Sequence, residues 1–236
     1  MQTPTHPASI AIDGPAASGK TSVARRVGQA LGLALVDTGG MYRAVALSAL
    51  ERGIATDDEA ALTRLAGDES PRYRFMPDAD GEQGYRLLLD GRDVTDLLHT
   101  ERVSTVVPRV ASISGVRAVL AAQQRRFGLA GGVVMTGRDI GTVVLPEAEL
   151  KIFMTATAEE RARRRVAQLD ESDREAAFAA VLANIRERDR QDSGRADSPL
   201  KQAEDAIYLD TTALSLEEVV NRILTLFSER VASSRA

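Results

Sequence analysis

Ser9-Ile10-Ala11-Ile12-Asp13-Gly14-Pro15-Ala16-Ala17-Ser18-Gly19-Lys20-Thr21 runs a short apolar stretch straight into a turn that satisfies G-x-x-x-x-G-K-S/T. A brief β-branched run closed by glycine reads as a buried strand, and Ser22 to Gly32, SVARRVGQALG, reads as a helix. That is the context in which such a turn holds phosphate. The glycines let successive N–H groups face phosphate oxygens, Lys20 bridges the terminal phosphates, and the helix N-terminus adds partial positive charge. The stretch Gly14, Pro15, Ala16, Ala17, Ser18, Gly19, Lys20, Thr21 and Ser22 is therefore a nucleoside triphosphate site. Thr21 and Ser22 offer two hydroxyls for magnesium.

Working outward, short apolar runs alternate with longer helical patterns, which argues for an α/β fold with a mostly parallel sheet covered on both faces. Core strands are expected at Ser9 to Asp13, Ala34 to Asp37, Gly132 to Thr136, Leu150 to Met154 and Ala206 to Asp210. Capping boxes are expected at Thr56 with Glu59, Thr157 with Glu160 and Ser215 with Glu218. Between about Pro71 and Val94 the texture changes to RYRFM, a turn-rich PDADGEQG and YRLLLDGRDV, which reads as a small antiparallel β insert with a polar loop. The residues before Ser9 and after Glu229 are expected to fray.

Composition narrows the function. The 236 residues suffice for one substantial core, and a formal net charge of -4 argues against a general polyanion binder. With no cysteine and only His6 and His99, thiolate chemistry, disulfides and a cysteine or histidine metal cluster are excluded. The N-terminal residues lack a basic region and long apolar stretch, and no run approaches the roughly 20 apolar residues of a membrane span. A cytoplasmic protein with no membrane or nucleic-acid partner is expected. A GTPase should carry N-K-x-D, which is absent, and the D-x-x-G matches at Asp37 and Asp78 have no supporting context.

Arginines then cluster where a second anion would bind. VDTGGMYR puts Thr38, Tyr42 and Arg43 beyond the second strand, and MTGRDIGT puts Arg138 and Asp139 beyond the third, at the ligand edge of a doubly wound sheet. Arg188, Asp192 and Arg195 share one face if their helix runs that far, and Arg161, Arg164 and Arg165 lie on one side of another helix. Many guanidiniums beside a phosphate loop suit phosphoryl transfer, which needs positive charge more than covalent chemistry.

Taken in order, IDGPAASGK, LVDTGGMYR, GRDIGTVVLP, KIFMTATAEERARRR and IRERDRQDSGR resemble the signature of bacterial cytidylate kinases, over nearly the whole chain. The resemblance implies a P-loop kinase with a five-stranded parallel core sheet flanked by helices and a small antiparallel insert in the monophosphate-binding region. It implies that ATP phosphorylates CMP or dCMP with Mg²⁺. It further implies a core at about 8–37, 108–156 and 196–230, a monophosphate-binding region at about 38–107, and a lid at about 161–175. Lys20, Arg138, Arg161 and Arg165 would be catalytic. Thr38, Tyr42 and Arg43 would meet the monophosphate and sugar, Arg138 the acceptor phosphate, Arg117 and Asp139 the cytosine, Arg188 and Asp192 the ribose, and Arg195 the substrate. A monomer is expected.

The base-reading assignment has its own chemistry. Cytosine presents an N4 amine beside acceptors at N3 and O2, so a carboxylate accepts from the amine while an arginine donates to the acceptors, and uracil is penalised. Two positions depart from the family pattern. Thr136 stands where an acidic residue usually precedes Gly-Arg-Asp, which would pass metal holding to Asp13 or Asp37, and Pro108 stands near a base-contacting serine position. The alternatives are a UMP- or shikimate-type kinase, and a non-catalytic ATP-dependent switch.

Overall fold

The computed structural model describes residues 8–69, 73–78, 81, 84–169 and 173–233. Five parallel strands form the central sheet: β1 (Ser9–Asp13), β2 (Ala34–Asp37), β6 (Val133–Gly137), β7 (Leu150–Thr155) and β8 (Ile207–Asp210), in the order β2-β6-β1-β7-β8. Each expected strand is present, with ends shifted by one residue in the last three. Every residue of β1 and β6 is buried. That is why their sequences run apolar without alternating: both faces of a parallel sheet are covered. The side chains still alternate, since Ile10 and Ile12 enter the larger core with Val134 while Ala11 enters a smaller one on the other face with Val36 and Met135.

The helices are α1 (Lys20–Leu31), α2 (Thr38–Glu51), α3 (Glu59–Glu69), α4 (Glu101–Ser112), α5 (Ser114–Leu129), α6 (Ala158–Val166), α7 (Arg174–Ser193) and α8 (Leu216–Ser233). Thr157 accepts from Glu160 N at 3.2 Å, and Ser215 and Glu218 bond reciprocally, so two of the expected caps form. The third does not. The first helical residue of α3 is Glu59, so the preceding Asp58 takes the capping position and accepts from Ala61 N at 2.9 Å. Chain α4 ends at Ile113, whose extended backbone turns α5 away by 94°. No single helix among the described residues is long and apolar enough to cross a membrane.

The insert forms a three-stranded antiparallel sheet, β3 (Tyr73–Pro77), β4 (Tyr85–Leu89) and β5 (Arg92–Asp93). Its tip loop, 77–84, lies partly outside the described residues, as do the first seven residues and 234–236. The insert is not a separate body, because Tyr73, Tyr85, Leu87 and Leu89 belong to the same buried cluster as the core strands. Phe75 contacts both Tyr85 and Phe127 of α5, with ring centroids 5.5 Å and 5.9 Å apart.

Candidate active site

The C-terminal ends of β1, β2 and β6 open onto one cleft. After Asp13 the chain turns through Gly14, which has φ +155° and whose missing side chain matters: a Cβ there would lie 1.9 Å from the Met154 carbonyl oxygen. Ala17 and Gly19 both take left-handed backbone, with φ 59° and 86°, which folds consecutive N–H groups inward as an anion nest. Helix α1 follows with no side-chain cap. Its first N–H groups therefore remain directed at the loop. Lys20 curls over this loop, donating to Pro15 O at 2.7 Å and Ser18 Oγ at 3.2 Å. Burial holds its pKa well below the usual lysine range, and the Arg138 guanidinium pushes the same way.

Two strand-end carboxylates divide the work next to this loop. Asp13 accepts from Ile140 N at 2.8 Å and Gly141 N at 2.7 Å, and burial nevertheless raises its pKa to about 6. Both oxygens are thus committed to the π-helical turn Ile140–Val144, which orients the Arg138-Asp139 pair just before it. Asp37 faces the phosphate loop instead. Its Oδ2 accepts from Thr21 Oγ1 at 3.2 Å, and its Oδ1 from Gly39 N at 3.0 Å and Thr136 Oγ1 at 3.4 Å. Of the two fallback carboxylates, Asp37 is the one that lies against a hydroxyl of the phosphate loop, through Thr21, while Asp13 bonds the turn after β6. Thr136 supports Asp37 through its hydroxyl. Thr21 and Asp37 are hard oxygen donors, which suits Mg²⁺, an ion held by one or two carboxylates together with substrate phosphates and water. Ser22 is exposed on α1.

Across the cleft the arginines are paired. Arg138 Nε donates to Asp192 Oδ2 at 2.7 Å, and Arg195 lies 2.6 Å from Asp192 Oδ1. Burial acts to raise the Asp192 pKa, but Arg138, Arg195 and Arg188 together hold it below the usual carboxylate range. Arg117 donates to Asp139 Oδ2 at 2.7 Å, both side chains are buried, and the guanidinium sits 5.6 Å over the Tyr42 ring. Its Nε is buried without a partner. Burial moves the Tyr42 phenol up to about 12. Arg43 donates to Leu98 O and Ser104 Oγ, both at 3.1 Å. Arg188 is electrostatically coupled to Arg138, Asp192 and Arg43.

One expectation is corrected by this geometry, and three further residues find partners within the fold. Helix α7 ends at Ser193, so Arg195 lies beyond it and reaches Asp192 from the turn, three residues on. Arg161, expected to stabilise the transferring group, is only 4 % exposed. Its nitrogens bond Ala156 O, Ala16 O and both oxygens of Asp189, so it ties α6 and α7 to the phosphate loop. Thr38 gives its hydroxyl hydrogen to Thr136 O at 2.8 Å and thereby pins the start of α2 to β6. Arg165 is exposed and bonds Gln168, with its charge felt at Arg43 and Arg188.

Arg164 has no role assigned from the sequence beyond its place on one side of α6. It reaches Ser18 O at 3.4 Å, Thr211 Oγ1 at 3.1 Å and Thr211 O at 2.5 Å, bridging the phosphate loop to the end of β8. Its only sequence signal was membership of the Arg161 to Arg165 run. Residues 170–172 of the expected lid lie outside the described residues.

Comparison with known proteins finds clear relatives. A family model described as cytidylate kinase matches residues 10–229. A cytidylate kinase of Carboxydothermus hydrogenoformans is 45% identical over 221 residues, covering 94% of this chain and 97% of that protein. One from Pseudomonas aeruginosa is 46% identical over 215 residues, covering 91% of this chain and 93% of that one. A bifunctional pantoate ligase/cytidylate kinase of Synechococcus elongatus is 46% identical over 221 residues, and this chain spans 94% of itself but only 42% of that longer protein.

Proposed function

The chain belongs to the cytidylate kinase family, and from that membership we propose that it transfers the γ-phosphoryl group of ATP to CMP or dCMP, giving ADP and CDP or dCDP. The observation that carries the cytosine reading is the buried Arg117–Asp139 pair, 2.7 Å apart, with the Arg117 guanidinium 5.6 Å over the Tyr42 ring. Such a pair, desolvated and mutually charged, offers a carboxylate oxygen to an exocyclic amine and guanidinium hydrogens to ring acceptors. The orphaned Nε of Arg117 is a further donor. UMP would set its C4 carbonyl against the carboxylate.

The triphosphate lies on the Gly14–Thr21 turn with Lys20 at its terminal phosphates, and the acceptor phosphate lies among Arg43, Arg138 and Arg188. Thr21, with Asp37 beside it, would hold Mg²⁺, which would supply charge neutralisation to the phosphates. The acceptor is already an ionised phosphate, so no side chain need remove a proton. The residues act by alignment and by matching the charge that spreads over the transferring group. Arg138 then exchanges its bond to Asp192 for the acceptor, leaving Asp192 with Arg195 at the sugar. Residues 161–175 serve as the lid that excludes water. The acidic net charge supports action on small molecules rather than on nucleic acid.

A coupled assay across CMP, dCMP, UMP, AMP and shikimate tests this. CMP and dCMP should be turned over, with UMP slower by about 5- to 150-fold, the range a single polar base-edge pairing supplies. Equal or faster turnover of UMP, AMP or shikimate overturns the reading.

A further inference from the structure

The antiparallel insert carries one polar group into the phosphate side of the cleft. Tyr85 opens β4 and is 2 % exposed, and its buried hydroxyl has no hydrogen-bond partner of ordinary length, although the Asp37 side chain acts on it as an acceptor. A phenylalanine would fill the same space without stranding an oxygen in the core, so the hydroxyl needs an explanation. The ring sits among apolar side chains: Phe75 packs on it with centroids 5.5 Å apart, and Leu87 of the same strand shares its cluster.

The hydroxyl rests against the first turn of α2. A Cβ added at Gly40 would lie 3.1 Å from it, so the second glycine of Asp37-Thr38-Gly39-Gly40 is what leaves room for the phenol. The charged groups that act on the phenol are Asp37 and Arg43. Arg43 is a donor only, whereas Asp37 can accept, so the single proton of the phenol has one destination among them. Asp37 already takes Thr21 and Thr136 hydroxyls and the Gly39 N–H, all from the core side of the cleft.

We infer that Tyr85 is a positioning residue through which the insert reaches the site: its hydroxyl addresses the Asp37 carboxylate as a donor and so fixes the oxygens next to Thr21. This rests on the reading of Thr21 and Asp37 as the metal-side oxygens. The insert then sets the metal requirement of the reaction as well as adding bulk.

The test is calorimetric binding of ATP to the full chain with and without Mg²⁺, for wild type, Tyr85→Phe, Gly40→Ala and Asp37→Asn. In Tyr85→Phe the gain in ATP affinity on adding Mg²⁺ should shrink by about tenfold, the scale of one hydrogen bond to a charged group. Metal-free ATP and CMP affinities and the thermal midpoint should not fall. Gly40→Ala, which crowds the hydroxyl, should reproduce the loss, and Tyr85→Phe should add nothing in the Asp37→Asn background. An unchanged Mg²⁺ gain in Tyr85→Phe, or an equal loss of metal-free affinity, overturns the inference. Wild-type turnover of CMP separates the two layers: if it is absent the reading of the whole site fails, and if it is present while Tyr85→Phe behaves as wild type only the role of Tyr85 fails.

Discussion

The two halves of the cleft are built from different materials. On the triphosphate side, contiguous residues from Gly14 to Thr21 do the work mainly with backbone, in a loop whose shape is set by left-handed positions and the close approach of Gly14 to Met154. On the acceptor side, side chains are collected from α2, α5, the turn after β6, and the end of α7, and they hold one another in place through Asp192 and Asp139. A backbone cradle is fixed by local conformation. A cluster of guanidiniums repels itself and must be held by carboxylates until the substrate arrives. Each half should therefore fail in its own way.

The sharpest break comes at Lys20. It belongs to the triphosphate side, yet its largest charged influence after burial is Arg138 of the acceptor side. Lys20→Ala should lower turnover by about 10²- to 10³-fold, the scale of removing one donor aimed at developing charge. CMP affinity measured by calorimetry should stay within about twofold, as for a substitution that leaves a partner's contacts intact. A CMP affinity that falls in step with turnover would mean that the halves are one electrostatic unit.

The same contrast explains what could be read in advance. The phosphate loop was legible because its chemistry lies in consecutive residues, and the five core strands because burial on both faces leaves uninterrupted apolar runs. On the acceptor side, the position of Arg43 and Arg138 beyond their strands pointed to a second anion, while the roles of the individual residues came only from the resemblance. Nothing in the spacing of Arg117 and Asp139, 22 residues apart, brings them to 2.7 Å; the fold does, by setting α5 across the turn after β6. Asp13 and Asp37 looked alike at the ends of the first two strands, and their different partners separate them. Arg161 and Arg164 looked alike on one helix. Which of them is spent on the scaffold depends on Asp189 and Thr211, which no local pattern names.

A middle-sized effect tests whether the acceptor side reads the base as well as holding charge. Asp139→Asn keeps the shape but replaces an oxygen that accepts from the cytosine amine with a group able to donate to a carbonyl. The preference for CMP over UMP should erode by about 5- to 150-fold, or 1–3 kcal/mol, while ATP affinity is unchanged. Arg138→Ala should instead slow every acceptor alike. An unchanged CMP to UMP ratio in Asp139→Asn would remove the division between phosphate and base within this half.

The smallest effect separates two neighbouring hydroxyls on the triphosphate side. Thr21 and Ser22 are adjacent in the sequence, and either could serve a metal by the motif alone. On a helix, however, successive residues point about 100° apart, so only one of them can face the loop. Thr21 Oγ1 lies 3.2 Å from Asp37 Oδ2, whereas Ser22 is exposed on the outer side of α1. Ser22→Ala should therefore change the Mg²⁺ requirement by less than about twofold, within the range of a neutral surface substitution. Thr21→Ala should raise that requirement and lose the bond to Asp37, whereas Thr21→Ser, which keeps the hydroxyl, should recover most of it. If Ser22→Ala proves the more damaging, the first turn of α1 is rotated in the working enzyme, and the triphosphate half is less fixed by its backbone than the contrast with the acceptor half requires.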